Sequence, residues 1–203
     1  STLTQTIASS GTISGASTGT LAATLTGANE ETLALQRVAN ISSRARITPG
    51  TGLAIAGFVI NGNEAKPVLI RAVGPGLEQF GLPAFLADPT LVVKAPNGQT
   101  VVENLNWDAG GQGPVITAAS QALGAFPLTR GSGDAALLSY LAPGNYTALI
   151  GSSVAGARGV GLLEVYDASL GQGTARLVNL SSRGFAGAGA AVIIPGLVVG
   201  AGP

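Results

Sequence analysis

Short apolar runs rich in Val, Ile, Leu and Thr alternate along the chain with clusters of Gly, Pro and Asn, the pattern of strands separated by tight turns. It predicts strands over 33–44, 53–60, 67–73, 90–94, 99–103, 135–141, 145–151 and 159–166. Asn61-Gly62-Asn63, Gly74-Pro75-Gly76 and Pro143-Gly144 mark turns, and Asn97-Gly98 is the tip of a hairpin. A helical turn is expected over 77–80 and one helix over 114–123, opened by Pro114 and closed by Gly124. Alternation is imperfect in 53–60 and 68–73, as in strands buried on both faces or covered by a neighbour. The chain therefore reads as all-β: a β-sandwich, Ig-like or jelly-roll-like, with the helix capping one end.

One stretch is written twice. Residues 37–60 read RVANISSRARITPGTGLAIAGFVI and residues 176–199 read RLVNLSSRGFAGAGAAVIIPGLVV, aligned without a gap at an offset of 139 residues. Identical pairs include Arg37/Arg176, Asn40/Asn179, Ser42/Ser181, Ser43/Ser182, Arg44/Arg183, Gly50/Gly189 and Gly57/Gly196. Val38/Leu177, Ile41/Leu180 and Phe58/Leu197 keep only their apolar character. The interval is domain-sized, too long for a solenoid period. Three segments follow: an extension over 1–36, a β-sandwich repeat unit over 37–168, and a linker with a partial second repeat over 169–203.

The terminal segments are the candidates for contact between subunits. Residues 1–36 are built from Thr, Ser, Gly and Ala, with Leu3, Ile7, Ile13, Leu21 and Leu25 spaced along them. They read either as a flexible linker or as a strand that adds to a sheet edge in another subunit. At the other end, Val192, Ile193, Ile194, Leu197 and Val198 offer an apolar strand. The 185–203 tail has no charged side chain and approaches the length of a membrane span. Its Pro195, its repeated Gly and its alignment with 46–64 favour a domain strand over a membrane span.

Composition narrows the classes. Of 203 residues 10% are charged, and ten basic residues balance ten acidic ones, which gives no electrostatic case for nucleic acid or an anionic membrane. Cys, His and Met are missing from this sequence, so disulfides, thiolate chemistry and histidine acid–base work are outside its repertoire. Lack of Met makes Ser1 a processed or fragment N-terminus, with export after signal cleavage as the simplest account. An extracellular or cell-surface location is the expectation.

A resemblance joins these readings. It is carried by 37–44, 55–60 and 68–75, then Leu86-Ala87-Asp88-Pro89, Asn106-Trp107, Gly124-Ala125-Phe126-Pro127, Asp134-Ala135-Ala136-Leu137, Pro143-Gly144-Asn145-Tyr146-Thr147 and Glu164-Val165-Tyr166-Asp167. In this order they resemble a tandemly repeated β-domain of large secreted proteins from verrucomicrobial and similar environmental bacteria. That likeness implies an extracellular repeat module with no established activity or catalytic residues. The 97–162 segment is also similar to β-sandwich domains appended to secreted bacterial peptidases, a likeness of fold and location.

Candidate chemistry is sparse. Asn104, Asn106 and Asp108 place oxygens at alternate positions, as calcium loops do, but a single charge favours a loop held by its own hydrogen bonds. Trp107, the one Trp, is a sugar-stacking candidate against a core role, with Tyr140 and Tyr146 as further contacts for a glycan. Asp88, Glu103, Asp108, Asp134 and Glu164 show no spacing that singles out a glycosidase pair. Gly131-Ser132-Gly133-Asp134 is no hydrolase elbow, and no Gly-rich stretch has the Lys of a phosphate loop. Arg37, Arg44, Arg176 and Arg183 are expected to meet carboxylates or carbonyls at a domain junction. Asn40, Asn145 and Asn179 begin glycosylation sequons. No catalytic residue and no cofactor is assigned. The expected function is a structural subunit of an extracellular filament or surface array, polymerising with copies of itself head-to-tail by strand addition. The alternative is a carbohydrate-binding or adhesion module that recognises surface glycans.

Overall fold

The computed structural model describes residues 37–49, 52–82, 84–170, 172–185 and 192–200. Ten strands run through them: β1 (Arg37–Ile47), β2 (Ala54–Asn61), β3 (Lys66–Val73), β4 (Pro89–Lys94), β5 (Thr100–Asn104), β6 (Ala135–Leu141), β7 (Gly144–Ser152), β8 (Gly159–Asp167), β9 (Arg176–Arg183) and β10 (Ile194–Gly200). A helix, α1 (Gly113–Ala122), and a 3-10 turn over Pro75–Phe80 complete the elements that position the core. The strands make two five-stranded sheets, ordered β10-β1-β8-β3-β6 and β5-β4-β7-β2-β9. Every pairing between these strands is antiparallel. This is a β-sandwich with one short helix.

Period-two burial explains why the strands sit as they do. Ile41, Ala45 and Ile47 of β1 face Ala56, Phe58 and Ile60 of β2 across the sandwich interior, and all are buried. The chain passes from one sheet to the other through a turn closed by reciprocal Thr48 and Gly52 backbone bonds of 3.0 and 3.1 Å. β2 keeps a strict alternation of buried and half-buried positions. β3 is different, because nearly every position is buried. Its Val68 and Ile70 enter the main core, while Leu69 joins a second cluster with Trp107, Ile116 and Tyr166. Ile116 belongs to α1, so the helix covers the outer face of the β3 sheet and does not cap an end of the sandwich. An apolar second face on β3 needs that cover, since each buried aliphatic or aromatic side chain is worth about 1.5–3 kcal/mol.

Arg71 and Glu164 are neighbours across β3 and β8 on this covered face. Arg71 Nε lies 3.1 Å from Glu164 Oε2, Nη1 donates to Phe126 O at 2.9 Å, and the guanidinium sits 4.3 Å from the Phe126 ring centre. Nη2 has no hydrogen-bond partner among the described residues. Asp134, also buried, accepts from Gly74 N at 2.7 Å, Gly76 N at 3.0 Å and Ser132 Oγ at 2.8 Å. It pins the turn after β3 to the start of β6.

Candidate functional site

The second copy of the repeat is where the molecule departs from a self-contained sandwich. β9 is the copy of β1 and β10 the copy of β2, and each lies against the other's original. β1 pairs with β10, and β2 pairs with β9. Ser42 is opposite Gly196 in one pairing, and Ser181 is opposite Gly57 in the other. Ile41 meets Leu197 as Leu180 meets Phe58, and Arg44 meets Ile194 as Arg183 meets Ile55. The register even slips at matched places, between Val38 and Asn40 and between the partners of Asn179 and Leu177. Exchanging the two copies leaves the pairing unchanged, which is the property of a two-fold joint. Ser43 and Ser182, themselves equivalent, meet across the sandwich with Oγ atoms 2.5 Å apart, marking the axis.

Charged side chains fix the approach to this joint. Lys66 is buried at the start of β3, with Nζ 2.8 Å from Asp167 Oδ1. It also donates to Ser169 Oγ at 3.0 Å and to Ala175 O at 2.9 Å, fastening the linker that leads into β9. Glu64 accepts from the backbone and hydroxyl of Thr174 and from Ala175 N. The Thr174 backbone donor, followed by its hydroxyl, holds the Glu64 carboxyl below its usual range. Arg176 donates to the carbonyls of Gly173 and Ala175 at 3.0 and 3.2 Å. Arg37, Arg44 and Arg183 occupy register positions of the same joint.

Among the described residues no strand continues either sheet beyond β9 and β10. Leu197 and Val199 pair with Ile41 and Val38, so they point to the inner side of their sheet, yet they are 60% and 48% exposed. Their copies in the first unit, Phe58 and Ile60, are 1% and 2% exposed. Of the terminal residues expected at subunit contacts, Val192, Ile194, Leu197 and Val198 are exposed and Ile193 packs partly against the core. Leu3, Ile7, Ile13, Leu21 and Leu25 lie outside the described residues.

The remaining candidates do not converge on one place. Asn104 Oδ1 accepts from Ala136 N, Asn104 Nδ2 donates to Asn106 O, and Asp108 Oδ2 accepts from Gly131 N. The loop is tied by its own side chains, and no cluster of three or more carboxylates that could hold a metal occurs among the described residues. Trp107 is 2% exposed, with Nε1 shared between Thr129 O and Ser132 Oγ at 3.2 Å, and it lines a cavity of about 290 Å³ beside α1. Tyr146 stacks on Phe58 in the sandwich, and Tyr140 stands exposed on β6. These three aromatics form no shared platform. Asp88 bonds Ser153 Oγ, Asp134 and Glu164 are engaged as described, and Glu103 is exposed on β5. Asn40, a sequon residue, is buried and donates to Ile41 O and Val165 O at 3.2 Å. The role of Lys66 and Glu64 as linker anchors had no signature beyond a charge pair before an apolar strand.

Fold and joint together define a β-sandwich module with two added edge strands that repeat its own first two. No protein-family profile matches the chain, and no curated protein matches it in sequence. Among the described residues no helix is long and apolar enough to cross a membrane.

Proposed function

We propose that this chain is a non-catalytic structural subunit of an extracellular filament or surface array, assembled from modules that join by β-strand addition. The observation that supports the reading is that both sheets of the module take on an added edge strand in one shared register; a further contact between subunits would propagate the polymer. Backbone hydrogen bonds supply affinity in such a contact, and alternate side chains supply register. The module body, β1 to β8, is read as a jelly roll. The orders β1-β8-β3-β6 and β2-β7-β4-β5 support this over an Ig-like sandwich, because each sheet interleaves the first and last strands of the body. Low charge and abundant Thr, Ser, Gly and Ala suit a surface module, and the resemblance to secreted repeat proteins supports the same location. Between subunits, residues 1–36 are the strand donor.

Negative-stain electron microscopy and size measurement of the purified chain in one buffer test this reading. Regular fibres a few nanometres wide are expected. Removing residues 1–26 should abolish them while Trp107 keeps the emission of a buried indole. A monodisperse monomer at every concentration would refute the filament.

A further inference from the structure

We infer that β9 and β10 are the first two strands of a second jelly roll, and that the open end of the sandwich accepts a body of the β3–β8 type. In that arrangement a β8-like strand occupies the free edge of β9 and a β7-like strand the free edge of β10. This rests on the reading of the open end as an assembly edge and names what it binds.

Three observations specify the occupant. First, β1 has β8 on the side away from β10, and β2 has β7 on the side away from β9. With the registers of the two copies matched, the same neighbours belong on β9 and β10. Second, the inner-face positions buried by the body in the first unit are bare in the second, as Leu197 and Val199 show against Phe58 and Ile60. Third, Asn40 uses its side-chain amide to hold the Val165 carbonyl of β8. Its copy Asn179 keeps the same side chain yet is exposed, and no hydrogen bond of that amide is formed among the described residues. Among the described residues nothing uses the Asn179 amide, whereas a β8-like strand would.

The geometry has a consequence for assembly. A two-fold joint closes on itself, because it consumes the β1 and β2 edges of both modules. Two modules joined this way share two continuous sheets and leave only edges of the β5 and β6 kind at either end. The joint makes module pairs, and propagation needs a different contact.

The test replaces residues 201–203 with a second copy of residues 62–168, which then follows Gly200 where the repeat would continue. A control appends residues 37–168, which brings its own first two strands, through a flexible linker. Hydrogen exchange should slow at least 100-fold at the β9 and β10 amides in the first chain and stay unchanged in the control. Leu197→Asp should lower the unfolding midpoint of the extended chain about as much as Phe58→Asp does, and barely affect the original. If the control body folds while the direct extension stays unfolded, or β9 and β10 exchange as before, the inference is overturned. Electron microscopy of the original chain reads the filament separately. Loss of fibres with protection retained sinks only the filament reading, and fibres without protection sink only this one.

Discussion

Truncating two equivalent residues measures how complete each half of the joint is. Phe58 is 1% exposed and stacks on Tyr146 with ring centres 5.5 Å apart, so Phe58→Ala removes a full core side chain and leaves a cavity. Such changes cost about 3–5 kcal/mol. Leu197 holds the same place in the second copy but is 60% exposed. Complete burial of a leucine is worth about 1.5–3 kcal/mol, so truncating one already mostly in water should cost about 1 kcal/mol or less. In a domain of this size 1 kcal/mol moves Tm by about 2–4 °C. Phe58→Ala should therefore lower Tm by about 6–20 °C, and Leu197→Ala by less than about 4 °C. Urea unfolding followed through Trp107, the single buried indole, gives the same comparison as free energies. Equal losses in a dilute, monomeric sample would show Leu197 to be as buried as Phe58, and the argument from an open end would fail.

Arg71→Met should destabilise the chain by about 3–5 kcal/mol, because it strands Glu164 in the covered face, whereas Arg71→Met with Glu164→Leu should restore most of the loss in urea titrations. Burial pushes the Glu164 carboxyl above its ordinary range, against the opposing influence of Arg71 and the Tyr166 hydroxyl. A raised folded-state value contributes stability that is full below the unfolded value and is lost as pH rises through the folded one. Stability of the native chain relative to Glu164→Gln should thus fall as pH rises above about 4. Glu64 runs the other way: its lowered value contributes above the unfolded value and is lost as pH falls through the folded one. Glu64→Gln should therefore lower the protection factors of the Thr174 and Ala175 amides at neutral pH, as protonation of Glu64 in acid does in the native chain. Millimolar calcium should leave Tm unchanged, while Asp108→Ala, which frees the Gly131 amide, should lower it by a few degrees.

Much of the fold was legible because its physics is local. Gly74-Pro75-Gly76 and Asn97-Gly98 end strands wherever they stand, and the apolar runs between them were long enough to place β2 to β8 within a few residues. The helix was legible but its site was not. Nothing in the 114–123 stretch says which surface it covers, and that is decided by Leu69, Ala136 and Tyr166 on the far side of β3 and β8. Asp134 read as part of a Gly-Ser-Gly-Asp loop, and only the tertiary structure brings the Gly74 and Gly76 amides to its carboxylate. The repeat announced a second unit, but pairing between the copies depends on contacts between distant parts of the chain, such as Arg37 with Gly200 and Asn61 with Arg176.

The joint bears on three of the identical pairs of the repeat, Ser42/Ser181, Ser43/Ser182 and Gly57/Gly196, which are small residues crowded at the axis. A Cβ added at Gly57 would crowd Ser181 Oγ, and one added at Gly196 would crowd Ser42 Oγ, so either substitution makes the opposing hydroxyl turn away. Ser43 and Ser182 meet each other there, where a larger side chain on either strand would have to displace its own copy. Farther from the axis the inner face asks for apolar volume, and Phe58/Leu197 diverges accordingly. Small residues at those three places suit a strand pair that packs against its own copy, so the two-fold joint has a counterpart in the sequence besides the exposure of Leu197.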